Sequence, residues 1–189
     1  VEQGLGEYLR LIDEGEVGEL LGTDAYMGGM VNDLNGHLHP LNLCTGEAAV
    51  AAKLGATIFE QTEVTGITHG KQARVHTKTG TIIANKVLIA GNAYHRLEPG
   101  KLSGLVFPAG SYIIATEPLS DETVNKINPQ DLAVCDLSNV LDYYRLSADN
   151  RMLYGGRCNY SGKVPASIKE SMRPRMLDIY PDLADARID

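Results

Sequence analysis

The sequence has few cysteines and no surplus of positive charge. Its three cysteines, Cys44, Cys135 and Cys158, are far apart and form no C-x-x-C pair. An odd number of scattered cysteines is typical of reduced thiols, so we expect a cytoplasmic protein. The formal net charge is -7 and the isoelectric point is about 5.2. This balance argues against a nucleic-acid partner, because phosphate binding needs a basic face.

Long hydrophobic runs are also missing. No apolar stretch approaches the roughly 18 residues of a membrane-spanning helix. The opening residues, VEQGLGEYLR, have neither the basic nor the apolar part of a signal peptide. We therefore expect no membrane span. Because the sequence does not open with methionine, we expect either a processed chain or an excised fragment.

The common motifs of nucleotide-binding and hydrolytic enzymes are absent as well. The nearest approach to the dinucleotide fingerprint G-x-G-x-x-G is Gly4-Leu5-Gly6, but Leu9 stands where the third glycine belongs and no strand precedes it. The sequence contains no P-loop, no H-E-x-x-H and no G-x-S-x-G. These enzyme classes have no support in the chain.

The composition, 43% hydrophobic and 22% charged, is that of a globular protein. Apolar residues at helical spacing predict an amphipathic helix over 5–12 and a short helical segment over 17–21 that Gly22 ends in the left-handed conformation. Turn residues predict a structured loop over 26–40. The alanine-rich stretch 41–55 predicts a helix packed closely against a flat surface.

Strand-like patterns follow the alanine-rich helix. The clearest is 80–92, GTIIANKVLIAGN, which predicts a strand buried on both faces. It ends in Ala90-Gly91-Asn92, where a glycine lets the main chain approach a bound group closely. Three shorter runs before it are also predicted to be strands: 56–61, 64–69 and 73–78.

From Lys101 onward the pattern is that of a separate domain. Strand-like runs over 105–110, 111–119, 139–146 and 151–157 predict an antiparallel sheet. A final helix is predicted over 167–180, with Pro174 either delaying its start or kinking it. The predicted fold class is therefore α+β: an antiparallel sheet domain with helices, plus part of a nucleotide-binding α/β layer.

Two histidines and a cysteine precede or open the alanine-rich helix. In an extended segment, His37 and His39 point the same way and could supply two metal ligands, but no third ligand is evident. We expect no metal, and an imidazole hydrogen-bonded to backbone instead. Cys44 is either a reactive thiol or, as we expect, a small buried hydrophobe.

The polar group with the clearest geometry is Asp142-Tyr143-Tyr144-Arg145. In a strand, Tyr143 and Arg145 share one face and could line a pocket for an anionic group, while Asp142 and Tyr144 share the other. The alternative is an exposed face on which Arg145 pairs with an acid. Arg157 allows the same two interpretations: it either binds a carboxylate or is simply a charge at the end of a strand.

Several of these segments together resemble the FAD-dependent amine and amino-acid oxidoreductases of the D-amino-acid oxidase type. Within that family the likeness is to enzymes that oxidise gamma-glutamylputrescine. The segments that carry the resemblance occur in the family's order: Tyr26 with Gly28-Gly29, the stretch 36–40, Gly55-Ala56 with 60–64, 80–92, 114–119, and Tyr143-Tyr144-Arg145 followed by 153–156.

The resemblance implies a division of roles along the chain. Residues 31–100 would be the partial second half of a Rossmann-like FAD-binding domain, whereas 1–30 and 101–189 would form the substrate-binding domain. The backbone of Val64 would face the FAD adenine, and Ala90 and Gly91 would lie along the sugar-phosphate. The substrate, a small amine, would be contacted by three side chains of the antiparallel sheet: Tyr143, Arg145 and Arg157.

The resemblance also implies a chemistry. The flavin would take a hydride from the carbon beside the substrate amine, and the resulting imine would hydrolyse to an aldehyde. Oxygen or another acceptor would then reoxidise the flavin.

The family's G-x-G-x-x-G half and its last strand are missing from this chain. We therefore expect the central part of such an enzyme, which alone binds FAD weakly or not at all and has no turnover. Two alternatives stay open: a non-catalytic binding module for a small anionic ligand, and a scaffold for oligomer contacts.

Overall fold

The computed structural model describes residues 6–94, 96–102, 104–161 and 163–189. The chain divides into two compact units. Unit 1 comprises Val1–His39 and Gly110–Asp189, and unit 2 comprises Pro40–Ala109. Unit 2 is thus an insertion between the two segments of unit 1.

Helices and antiparallel sheets are both present, which confirms the α+β class. In chain order the elements are β1 (Leu9–Asp13), α1 (Glu14–Leu21), β2 (Gly28–Asn32), α2 (Pro40–Lys53), β3 (Val64–Thr68), β4 (Ala73–Thr77), β5 (Thr81–Ala84), α3 (Pro99–Leu102), β6 (Gly110–Ala115), α4 (Asp121–Ile127), β7 (Val134–Cys135), β8 (Tyr143–Leu146), β9 (Met152–Asn159) and α5 (Ile168–Ile179). None of these helices is long and apolar enough to cross a membrane.

The core of unit 1 lies between α5 and a four-stranded antiparallel sheet with the strand order β6-β9-β8-β7. Met172 and Met176 of α5 are fully buried in one cluster with Met152 and Tyr154 of β9. Residues of β8 alternate between half-buried and buried, as expected where one face of a sheet is packed. The sheet therefore has an inner face toward α5 and an outer face away from it.

The local sequence pattern predicted most strands of this sheet. Strands β6, β8 and β9 overlap the predicted strand runs. Residues 105–109 form no strand, and the two-residue strand β7 was not predicted. A strand this short has too few residues to produce an alternating pattern.

Helix α5 begins after Ser167, whose hydroxyl accepts a hydrogen bond from the backbone N–H of Glu170. The predicted helix over 167–180 is confirmed within one residue at each end. It runs through Pro174, so the proline does not delay its start. Proline cannot donate a backbone hydrogen bond, and the loss of that bond is offset by the burial of three apolar residues of the helix, Met172, Met176 and Ile179.

Tyrosines form the polar centre of the core. The ring of Tyr144 stacks on Tyr154 with centroids 5.8 Å apart, and it meets the ring of Tyr180 edge-on at 5.5 Å. The Tyr180 hydroxyl lies 3.0 Å from the carbonyl oxygens of both Leu21 and Ile127. Burial raises the pKa of Tyr180 to about 12 and also raises the pKa of Tyr144. These phenols therefore stay neutral near physiological pH.

A buried ion pair joins the sheet to α5. Arg175 donates to both carboxylate oxygens of Asp142 over distances of 2.6 to 3.0 Å. The Asp142 side chain is only 7% exposed, and its carboxylate raises the pKa of Arg175. Asp142 and Tyr144 are both buried, as their predicted common face requires.

Unit 2 contains α2, α3 and a three-stranded antiparallel sheet with the order β3-β4-β5. The alanine-rich helix forms as predicted, and Gly55 follows it with a left-handed φ of 98°. No residue of α2 is buried, so the close packing that its composition predicts is not present. An alanine-rich face needs a facing surface, and the residues described in unit 2 bury no part of α2 fully.

The opening segment differs from its prediction. The predicted helix 5–12 does not form over its described part: residues 6–8 are turn and bend, and the strand β1 begins at Leu9. Leu5 lies outside the described residues. The partner strand β2 lies within the predicted loop 26–40, with Leu9 opposite Asn32. The backbone hydrogen bonds of β1 are made with β2, whose residues are distant in the sequence. The local periodicity of side chains gives no information about such pairing. The short helix α1 and its left-handed stop Gly22 are confirmed.

The prediction that 80–92 forms a strand buried on both faces is wrong. The strand β5 ends at Ala84, and its residues Ile82 and Ile83 are 44% and 54% exposed. Beyond the strand, Leu88 is 89% exposed. A strand buried on both faces needs neighbouring strands and cover on both sides, which unit 2 does not give to residues 87–91. Residues 56–61 also form no strand, whereas β3 and β4 match the other two predicted runs.

Candidate functional site

Tyr143 and Arg145 lie together on the outer face of the unit 1 sheet. Both are half-buried, while Tyr144 and Leu146 between and beyond them are buried on the inner face. The shared face that the sequence predicts is therefore present. Its neighbours on β9 are Gly155, opposite Tyr143, and Leu153, opposite Arg145.

Tyr143 lies flat across β9 because its neighbour there has no side chain. A Cβ added to Gly155 would be 2.2 Å from a carbon of the Tyr143 ring, which is far inside van der Waals contact. The Tyr143 hydroxyl lies 2.7 Å from the Ser111 hydroxyl on β6. The phenol thus spans three strands and is fixed at its far end.

Arg145 contacts a histidine rather than an acid. Its NH1 donates to Nδ1 of His37 over 3.0 Å, and Nε2 of His37 lies 2.7 Å from the carbonyl oxygen of Asp131. Within the described residues, no carboxylate lies in ion-pairing range of Arg145. The neighbouring acid in the sequence, Asp142, pairs with Arg175 instead. The alternative in which Arg145 pairs with an acid is therefore wrong for the described chain.

Arg157 occupies an irregular position in β9. Ser111 pairs with Cys158 and Tyr112 pairs with Gly156, so Arg157 has no opposite residue in the ladder. Its side chain lies outside the described residues. Its assignment to the substrate site stays a prediction.

The three residues predicted to contact the cofactor all lie in unit 2. Val64 opens β3, an edge strand of its sheet, opposite Thr77 at an irregular pairing. Ala90 and Gly91 lie in exposed, irregular backbone. An edge strand has main-chain groups free on one side, and small residues let a ligand approach closely. These features fit the contacts expected for an adenine and a sugar-phosphate, and the roles of the three residues stay predictions.

The other candidates from the sequence have different surroundings. His37 bonds to backbone, as expected, although its partner is in the loop after α4. Cys44 is exposed, so its prediction as a buried hydrophobe is wrong, because no residue of α2 is buried by the described part of unit 2. Within the described residues, no group of three or more His, Cys, Asp or Glu side chains could hold a metal ion.

Sequence reasoning missed the partners of the site residues. Arg145 and His37 are 108 residues apart, and Tyr143 and Ser111 are 32 apart. Gly155 and Gly156 lie inside the strand β9. The useful signal was a glycine in a strand interior, which often marks the close approach of another group.

A family comparison identifies the chain. The sequence model of the family described as "FAD dependent oxidoreductase" matches residues 1–189. The chain belongs to this family.

Two curated relatives of this family member are similar over nearly its whole length. It is 37% identical over 183 residues to "Gamma-glutamylputrescine oxidoreductase" of Escherichia coli K12, covering 96% of this chain and 43% of that protein. It is 39% identical over 187 residues to "Probable oxidoreductase OrdL" of Haemophilus influenzae, covering 96% of this chain and 42% of that protein. The chain thus spans less than half the length of these relatives.

Solved structures of similar fold are more distant in sequence. L-proline dehydrogenase from P. horikoshii has a TM-score of 0.76 at 20% identity, over 100% of this chain and 52% of that one. Glycine oxidase from Geobacillus kaustophilus has a TM-score of 0.77 at 22% identity, over 98% of this chain and 50% of that one. These similarities establish the fold of this FAD-dependent oxidoreductase family member.

Proposed function

We propose that the full-length protein is an FAD-dependent oxidoreductase that oxidises a small amine resembling gamma-glutamylputrescine. Family membership and the name of the E. coli relative support this proposal. The observation that carries it is the outer face of the unit 1 sheet, where Tyr143 and Arg145 lie side by side and no described acid neutralises the guanidinium.

In this proposal the two parts of the chain have separate roles. Residues 1–30 and 101–189 bind the substrate, and 31–100 contribute part of the FAD-binding domain through Val64, Ala90 and Gly91. The division of the chain into two compact units supports a two-part organisation, although the units divide after His39 and Ala109 rather than after residues 30 and 100. His37 thus lies in the same unit as Arg145. The cytoplasmic location expected from the cysteines stays a prediction.

When bound, FAD supplies the two-electron acceptor that oxidises the carbon beside the amine to an imine, which water hydrolyses to an aldehyde. The residues of this chain bind and orient the substrate. Arg145 offers donors in a fixed fork that suits a carboxylate. Tyr143 presents a phenol fixed by Ser111. A gamma-glutamyl substrate carries such a carboxylate at the end distant from the reacting amine.

Anaerobic mixing of the full-length protein with gamma-glutamylputrescine tests the proposal. We expect the visible absorbance of the oxidised flavin to disappear. The variant Arg145→Met should raise KM about 10- to 100-fold, since a hydrogen-bonded charge contributes about 1.5–3 kcal/mol. If substrate binds without any flavin reduction, the function is instead the second candidate, a non-catalytic module for a small anionic ligand.

A further inference from the structure

The imidazole of His37 is bonded at both ring nitrogens. Arg145 donates from NH1 to Nδ1, and Nε2 lies 2.7 Å from the carbonyl oxygen of Asp131. A guanidinium has donors and no acceptor, so Nδ1 must be the unprotonated nitrogen. Nε2 then carries the proton and donates a hydrogen bond to the Asp131 carbonyl, and Oδ1 of the Asp131 carboxylate lies 3.7 Å from the same nitrogen. One hydrogen bond fixes the tautomer that the other requires.

The loop that presents the Asp131 carbonyl is itself held in place. Asn128 is 1% exposed, and its side-chain amide donates to the Leu132 carbonyl and accepts from the Leu132 N–H over 2.8 and 2.9 Å. The Asp131 N–H donates to the Asn128 carbonyl over 3.1 Å. Asp131 has a left-handed φ of 51°. A buried amide thus fixes a strained turn whose carbonyl contacts His37.

The guanidinium of Arg145 keeps most of its hydrogen-bonding capacity. Only NH1 donates a side-chain hydrogen bond within the described residues, and arginine has five N–H donors. The residue is half-buried on the outer face. An arginine held at one nitrogen has fewer rotamers to lose when an anion binds the remaining donors.

We propose that His37 is a positioning residue that fixes Arg145 for the carboxylate of the substrate. This inference rests on the proposed function and adds a specificity-determining residue to it. His37 does not touch the substrate. His37 holds the guanidinium of Arg145 in place. The buried Asn128 in turn holds the loop whose Asp131 carbonyl contacts His37.

A double-mutant cycle in the full-length flavoprotein tests the proposal, with gamma-glutamylputrescine as the substrate. His37→Phe should lower kcat/KM about 3- to 10-fold by raising KM at unchanged kcat, the cost of ordering one long side chain. In an Arg145→Met background, His37→Phe should have no further effect. His37→Asn, which keeps an acceptor near Nδ1, should recover part of the loss.

Controls separate positioning from packing. Putrescine has the amine and lacks the carboxylate, so its kcat/KM should not respond to His37→Phe. His69→Phe removes an imidazole that pairs with Glu98 in unit 2, and it should leave KM unchanged. Flavin content should match the wild type in every variant.

Two results would overturn the inference. An equal loss from His37→Phe with and without Arg145 means that His37 acts through packing. An unchanged KM in His37→Phe means that Arg145 needs no support. Failure of the wild-type protein to oxidise gamma-glutamylputrescine would overturn the proposed function, and this inference with it, before any variant is compared.

Discussion

At the scale of single residues, one glycine decides where an aromatic ring lies. Gly155 has Tyr143 lying over it, and the same phenol reaches Ser111 on the far strand. The sequence predicted the face of Tyr143 from strand alternation alone, because alternation is a local property. It did not predict that the ring crosses Gly155, because that contact depends on the register of two strands.

Gly155→Ala should destabilise the chain by about 1–3 kcal/mol, since the new methyl group displaces the Tyr143 ring. In a Tyr143→Ala background the same change should cost much less. Urea unfolding of the 189-residue chain, followed by circular dichroism, measures both values. Gly66→Ala is the matched control, because Gly66 is also a strand glycine and a Cβ there meets nothing within 4 Å. Equal losses in the two backgrounds would contradict the assigned contact.

At the scale of elements, the ion pair between Asp142 and Arg175 ties β8 to α5. Helix α5 itself was predictable, because its cap Ser167 and its apolar spacing are local signals. Strands β1 and β2 were not, because each is stabilised by pairing with the other across α1. The partner of Asp142 was likewise hidden, since Arg175 is 33 residues away.

Asp142→Asn should lower the free energy of unfolding by about 3 kcal/mol, because it leaves the Arg175 guanidinium largely buried without its countercharge. Asp182→Asn provides the control. Asp182 pairs with Lys126, and both side chains are more than half exposed, so its loss should cost less than about 1 kcal/mol. Thermal and urea unfolding of the two variants compare the pairs. Similar losses in both would mean that burial does not strengthen the Asp142 pair.

At the scale of the whole molecule, the chain carries no glycine-rich dinucleotide fingerprint and covers only part of its relatives. It contains no G-x-G-x-x-G loop, and it spans less than half of its curated relatives. Apolar residues of α2 are exposed in unit 2, with Leu41 64% and Val50 54% exposed. The alanine-rich composition of α2 predicted that the helix packs closely against a flat surface. Helix composition alone could not reveal that no residue of α2 is buried in the described part of unit 2.

The 189-residue chain alone should bind FAD weakly or not at all, because the dinucleotide phosphates have no glycine-rich helix N-terminus to receive them. Reconstitution with excess FAD followed by gel filtration measures this, with the full-length protein as the positive control. Flavin should elute separately from the chain. Stoichiometric co-elution would contradict the prediction.

The contact between Tyr180 and Leu21 has a consequence for biosynthesis. These residues are 159 positions apart, and unit 2 lies between them in the chain. At about 5–20 residues per second, a ribosome needs about 8–30 s to deliver the tyrosine after the leucine. All of unit 2 leaves the ribosome in that interval. During that interval the first segment of unit 1 has only its internal contacts, such as the pairing of β1 with β2, and the Leu21 carbonyl lacks its Tyr180 donor until α5 has been synthesised.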